Sequence, residues 1–82
     1  MPKNITVFTT DRCSYCVMVK RYLDSKKLKY DVVNLEKNPE HLARVLEMSG
    51  ALTVPVVHIL KEDDSEEVVI GYNLTRLAPA LV

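Results

Sequence analysis

One short junction constrains this chain more than any other part of it. An apolar, β-branched run, Ile5 to Thr9, gives way through Cys13-Ser14-Tyr15-Cys16 to a run with helical spacing. A strand that becomes a helix across two cysteines sets the helix N-terminus beside the first of them. There the unpaired N–H groups of the first turn favour a thiolate. Cys13 is therefore the predicted nucleophile, and Cys16, about one helical turn further in, the predicted resolving thiol that attacks a mixed disulfide formed at Cys13. No other cysteine is present. A disulfide between the two closes too small a loop to staple a fold, because the entropy removed by a crosslink grows with loop length. A zinc site is the competing reading of Cys-x-x-Cys, but only His41 and His58 could complete four ligands, and their spacing does not suit one. Redox chemistry is the better account.

The bulk composition narrows the setting. Eighty-two residues with 48% hydrophobic content support one core, so residues 1–82 are expected to form a single domain. Eleven basic against 11 acidic residues remove the usual argument for nucleic acid or an acidic membrane. The basic stretch Lys26-Lys27-Leu28-Lys29 has no interleaved aromatic platform, and the acidic run Glu62 to Glu67 reads as a solubilising hairpin tip. Met1-Pro2-Lys3-Asn4 leads straight into a strand pattern, with no secretory signal and no apolar run of spanning length, so the expected location is the cytoplasm. Nothing demands more than a monomer.

The periodicity gives the order of elements. Val19 and Leu23 fall in line with Cys16 over a helix reaching Lys27, and Tyr30 to Leu35 reads as a second strand. Asn38-Pro39-Glu40 opens a second helix, with Asn38 as N-cap and a buried stripe of Leu42, Val45 and Leu46, and Gly50 ends it. Val56 to Leu60 and Glu67 to Ile70 form an antiparallel hairpin across residues 61–66. Asn73 caps a last helix, Leu74 to Leu81, whose final turn Pro79 should distort or fray. The sum is βαβαββα: an α/β thioredoxin fold, with a four-stranded mixed sheet flanked by helices. His58 should be a packed or edge residue of its strand, and His41 solvated on its helix.

Val54-Pro55 is the second informative feature. A proline entering an apolar strand cannot donate a ladder bond, and a cis Val54-Pro55 bond would turn the chain and leave the Val54 backbone to pair with an extended substrate. Arg12 adjoins the nucleophile, where it either supports the thiolate or only solvates the loop. Tyr15 is a candidate aromatic wall over the substrate, with a weaker case for Tyr72.

Thr10-x-x-Cys13-x-Tyr15-Cys16, the Thr53-Val54-Pro55 turn and Gly71-Tyr72 together resemble glutaredoxins along nearly the whole chain. The resemblance implies a dithiol cycle on protein disulfides, or a one-cysteine cycle on glutathione mixed disulfides. It implies substrate contacts at Arg12, Tyr15, Thr53, Val54, Pro55, Gly71 and Tyr72, and no bound cofactor beyond the Cys13–Cys16 couple. The stretch Val69 to Leu74, followed by Leu77, is similar to the redoxins that feed ribonucleotide reductase. Glutathione-using members commonly carry lysine where this chain has Thr10, a basic or polar residue near Ala51-Leu52, and Gly-Gly with aspartates near Ile70 to Leu74. The glutathione clamp is thus incomplete, and either glutathione or a flavoprotein of the thioredoxin reductase kind is the expected reductant. Ser14 replaces a common proline, and some members with Cys-Ser-Tyr-Cys resemble carriers of a [2Fe–2S] cluster held by two protomers and two glutathiones.

Overall fold

The computed structural model describes residues 3–50 and 54–81. Strand β1 (Asn4–Thr9) leads into helix α1 (Ser14–Ser25), and β2 (Asp31–Asn34) follows. A single 3₁₀ turn (Pro39–His41) precedes α2 (Leu42–Ser49), and the hairpin β3 (Val56–Leu60) and β4 (Glu66–Ile70) leads to α3 (Leu74–Ala80). The sheet order is β2-β1-β3-β4. β1 and β2 run parallel through the α1 crossover, whereas β1–β3 and β3–β4 are antiparallel. This is the thioredoxin-like arrangement expected from the order of elements.

Strand alternation divides the core in two. Ile5, Val7, Val57, Ile59 and Val69 point to the face covered by α1 and α3, where Val19, Leu23, Leu77 and Ala80 meet them. Cys16, Val19 and Leu23 are the buried positions of α1, the three- and four-residue spacing that one helix face requires. Phe8 and Val56 point the other way and pack with Leu35 and Val45. Among the described residues, no helix is long and apolar enough to cross a membrane.

Several expectations need correction. Residues 39–41 form a 3₁₀ turn, not the start of an α-helix; the His41 N–H reaches the Asn38 carbonyl at 3.1 Å, and the Asn38 side chain makes no capping bond. Of the expected stripe on α2 only Val45 is buried, while Leu42 and Leu46 are exposed. Among the described side chains of this two-turn helix, Val45 is the one that joins the small apolar patch of Phe8, Leu35 and Val56. His41 is half-buried rather than solvated, its ring 6.4 Å from that of Phe8. His58 is packed as expected, with Nε2 3.1 Å from Glu66 Oε1. Helix α3 continues through Pro79 to Ala80, so the distortion is confined to a tightened last turn in which the Leu81 N–H meets the Ala78 carbonyl at 3.3 Å. A proline so near a helix end removes one ladder bond and leaves no long segment to break. Asn73 stands at the N-cap position, although only its carbonyl serves the helix, accepting from Arg76 and Leu77.

Candidate active site

Register alone gathers the site. Thr9 pairs with Asn34, Phe8 with Val56, and Val56 with Ile70. The C-terminal ends of β1, β2 and β4 and the start of β3 therefore share one end of the sheet. The segments that leave or enter there carry Cys13, residues 35–37, Val54-Pro55 and Gly71-Tyr72.

Cys13 is the N-cap of α1, with extended backbone (φ −134°, ψ 100°). Its Sγ accepts the Cys16 N–H at 3.0 Å, an orphan donor of the first helical turn. No acidic side chain stands in that turn to oppose a negative sulfur. The two cysteines are joined as a disulfide with Cα atoms 5.2 Å apart. They differ in access: Cys16 is 1% exposed beneath the helix, whereas Cys13 is half-buried at its tip. An incoming sulfur therefore reaches Cys13 more readily. Arg12 is exposed and, among the described residues, has no ion-pair partner.

The Val54–Pro55 bond is cis, as the sequence suggested. Pro55 is buried, and its carbonyl accepts the Gly71 N–H at 2.7 Å, tying the entry of β3 to the exit of β4. Val54 stands beyond the last ladder pair of β3. Gly71 has φ +76°, a left-handed conformation that turns the chain so that Tyr72 can stack on Tyr15. Those rings are 6.4 Å apart with 18° between planes. Thr53 lies outside the described residues.

Sequence reasoning missed the other side of the site. Asn34 Nδ2 donates to Asp11 Oδ1 at 2.6 Å, and Asn34 Oδ1 accepts the N–H groups of Glu36 (2.9 Å) and Lys37 (3.3 Å). The amide thus clamps the loop before Cys13 to the turn after β2. The Asn34 hydrogen bond, then Glu36 and the Lys37 charge, hold the Asp11 carboxyl below its ordinary value; sharing with Asp11, then partial desolvation, raises Glu36 above its own. Parallel pairing of Thr9 with Asn34 was the available signal, since it sets residues 10–11 against 35–36. Beside this loop Thr10, Leu35, Glu36, Pro39, Leu42 and Val54 line an open, largely apolar cleft of about 410 Å³. Among the described residues, no group of three or more His, Cys, Asp or Glu side chains is placed to hold a metal ion.

An accessible sulfur capping a helix, a buried sulfur one turn behind it and a cis-proline turn at the same end of a thioredoxin-like sheet define a class, the thiol-disulfide oxidoreductases. Within that class the chain belongs to the glutaredoxin family, whose family model matches residues 5–63. It is 34% identical over 53 residues to the glutaredoxin-like protein NrdH of Lactococcus lactis subsp. lactis (strain IL1403), covering 65% of this chain and 72% of that protein. Among solved structures, the thioredoxin-like protein BC3987 superposes with a TM-score of 0.79 at 28% identity, covering 94% of this chain and 99% of that one. The NrdH-redoxin of Escherichia coli, described by its thioredoxin-like activity profile, superposes with a TM-score of 0.68 at 26% identity, covering 85% and 84%.

Proposed function

We propose that this glutaredoxin-family oxidoreductase is a redoxin of the NrdH kind: it reduces protein disulfides in the cytoplasm as a monomer and takes its electrons from a flavoprotein disulfide reductase in preference to glutathione. The observation that carries the reading is the cleft beside Cys13. Thr10, where glutathione-using relatives carry lysine, lines it together with Leu35, Leu42 and the acidic residue Glu36. A glutathione carboxylate entering there meets apolar surface and like charge. The thioredoxin-like activity profile in the description of the E. coli NrdH-redoxin supports the same choice. A ribonucleotide reductase disulfide is the first substrate to try.

In the cycle, the Cys13 thiolate attacks one sulfur of the substrate disulfide, and the other sulfur leaves as a thiolate and takes a proton. Cys16 then loses its proton and attacks the Cys13 sulfur, which releases the second substrate thiol and leaves the Cys13–Cys16 disulfide seen here. Two electrons pass from protein to substrate, and the reductase returns them. Val54, outside the β3 ladder, pairs its backbone with the extended substrate, Pro55 and Gly71 fix that edge, and the Tyr15–Tyr72 pair walls the opposite flank. Arg12 supplies an exposed cation beside the leaving sulfur. A cluster-carrier role requires firmly bound glutathione, and a largely apolar cleft with Glu36 and no cation among its described lining residues argues against it.

The oxidised protein should be reduced rapidly by thioredoxin reductase with NADPH and slowly by glutathione with glutathione reductase. The reverse ranking would overturn the choice of reductant. Cys13→Ser should abolish turnover, and Cys16→Ser should accumulate a mixed disulfide visible by intact-mass spectrometry. Turnover in Cys13→Ser, or no adduct in Cys16→Ser, would reverse the assigned roles.

A further inference from the structure

We infer that the cleft beside Cys13 is a specificity subsite that takes an apolar side chain flanking the substrate cysteine, with a basic residue next to it in the bound segment. The inference rests on the redoxin reading above and assigns the sequence class of segment the site selects. The cleft is built on the segments that carry the site: Thr10 stands three residues before Cys13, and Val54, just before Pro55 and the β3 ladder, is the residue to which an extended segment would pair. A segment lying along Val54 with its sulfur at Cys13 therefore extends one flank over Leu35, Pro39 and Leu42. At about 410 Å³ the cleft lies within the size range of ordinary ligand pockets and has room for a large aliphatic or aromatic side chain. Leu42 is 38% exposed, and Leu46, one turn on, continues the apolar strip at 47%, which burial under a substrate would relieve.

Charge supplies the second half of the argument. Among the described residues that line the cleft, Glu36 alone is ionisable. Asp11 adjoins it, held by the Asn34 amide, and Asn34 also fixes the backbone of residues 36–37. The Lys37 charge acts on Asp11, and Glu36, which shares a hydrogen bond with Asp11, is the member of that pair that lines the cleft. The Asn34 amide thus fixes the Asp11 carboxylate at one end and the Glu36 backbone at the other, which places the Glu36 residue at the cleft. A lysine or arginine beside the buried apolar residue meets this rim favourably, and an aspartate or glutamate is repelled.

The test is single-turnover reduction of short peptides whose one cysteine carries a mixed disulfide with 2-mercaptoethanol, using protein reduced beforehand with dithiothreitol and freed of it. Peptides bearing Leu-Lys, Leu-Glu or Ser-Ser on one flank of the cysteine, in sets for each flank, are compared by quenched-flow mass spectrometry. In the set whose flank enters the cleft, Leu-Lys should react about fivefold faster than Leu-Glu at low salt, a gap that shrinks in 1 M salt. Ser-Ser should fall below Leu-Lys, and Glu36→Lys should reverse the Lys-over-Glu order. Equal rates across the peptides, or a charge preference unchanged in Glu36→Lys, would overturn the subsite. Bis(2-hydroxyethyl) disulfide, which has no flank, separates the two levels of the argument. If the wild-type protein reduces it without discriminating among the peptides, the subsite alone is refuted; if it does not reduce it, the dithiol reading falls and the subsite with it.

Discussion

Gly50 and Gly71 offer a matched pair of perturbations. Their φ values are +77° and +76°, and a Cβ added at either position would meet no atom of the described residues within 4 Å. Replacement by alanine therefore creates no clash, and only the backbone term remains. A left-handed L-residue costs roughly 1–2 kcal/mol, while the stiffer unfolded chain of the alanine variant returns about 0.4–1 kcal/mol. The net is a destabilisation of about 1 kcal/mol for each of Gly50→Ala and Gly71→Ala. In urea unfolding of a domain this size that lowers the midpoint by roughly 0.5–1 M, and the melting temperature by about 4–8 °C. Asparagine, which tolerates the left-handed region better, should recover part of the loss at both sites. Function should separate the two. Gly71 donates to the Pro55 carbonyl and aims Tyr72 at Tyr15, whereas Gly50 ends α2. Gly71→Ala should lower kcat/KM for a protein disulfide, and Gly50→Ala should leave it close to the wild-type value. A neutral alanine at either site, or stabilities differing by more than about 1 kcal/mol, would refute a purely conformational account.

Two further outcomes follow from contacts at the site. The Tyr15→Ala/Tyr72→Ala double-mutant cycle should give a coupling energy of about 0.5–1 kcal/mol in urea unfolding, and additivity within about 0.3 kcal/mol would dissolve the pair. A carbon-detected NMR titration should find Asp11 titrating below, and Glu36 above, their ordinary values, with Asn34→Ala moving Asp11 upward. The signs oppose one another: the Asp11 contribution to stability is present above its unfolded pKa and lost as pH falls through its folded one. The Glu36 contribution is present below its unfolded pKa and lost as pH rises through its raised folded one. Ordinary, independent titration of both groups would remove the pair.

The parts of this molecule legible in the sequence are those governed by short-range rules. The Cys13–Cys16 spacing, the β-branched runs of β1 and β3, and a proline at the entry of a strand each carry a local mechanism, and the structure agrees with all three. The reading failed where the outcome depends on how much partner surface an element finds. Leu42 and Leu46 have the right helical phase for burial, but the sheet face beneath α2 buries Val45 and leaves both leucines exposed. His41 looks polar on a helix wheel, yet the 3₁₀ turn swings it towards Phe8. Tyr15 with Tyr72, and Asp11 with Asn34 and Glu36, are contacts between loops distant in sequence, and only the strand register brings them together. Of these, the Asp11–Asn34 contact could have been found by assuming parallel pairing of the first two strands and counting past their ends.

The strand order has a consequence for how the protein is made. β1 sits inside the sheet, and its longest-range partner is β3, with Asn4 opposite Leu60. During synthesis the two cysteines leave the ribosome on a segment whose sheet has at most its β2 edge until β3 has also emerged, a delay on the order of a few seconds at typical elongation rates. Through that interval Cys16, 1% exposed in the finished fold, lacks the β3 part of the packing that shields it from oxidants and other nascent thiols. The difference between the two sulfurs is thus a product of long-range chain closure, acquired only when the C-terminal half arrives.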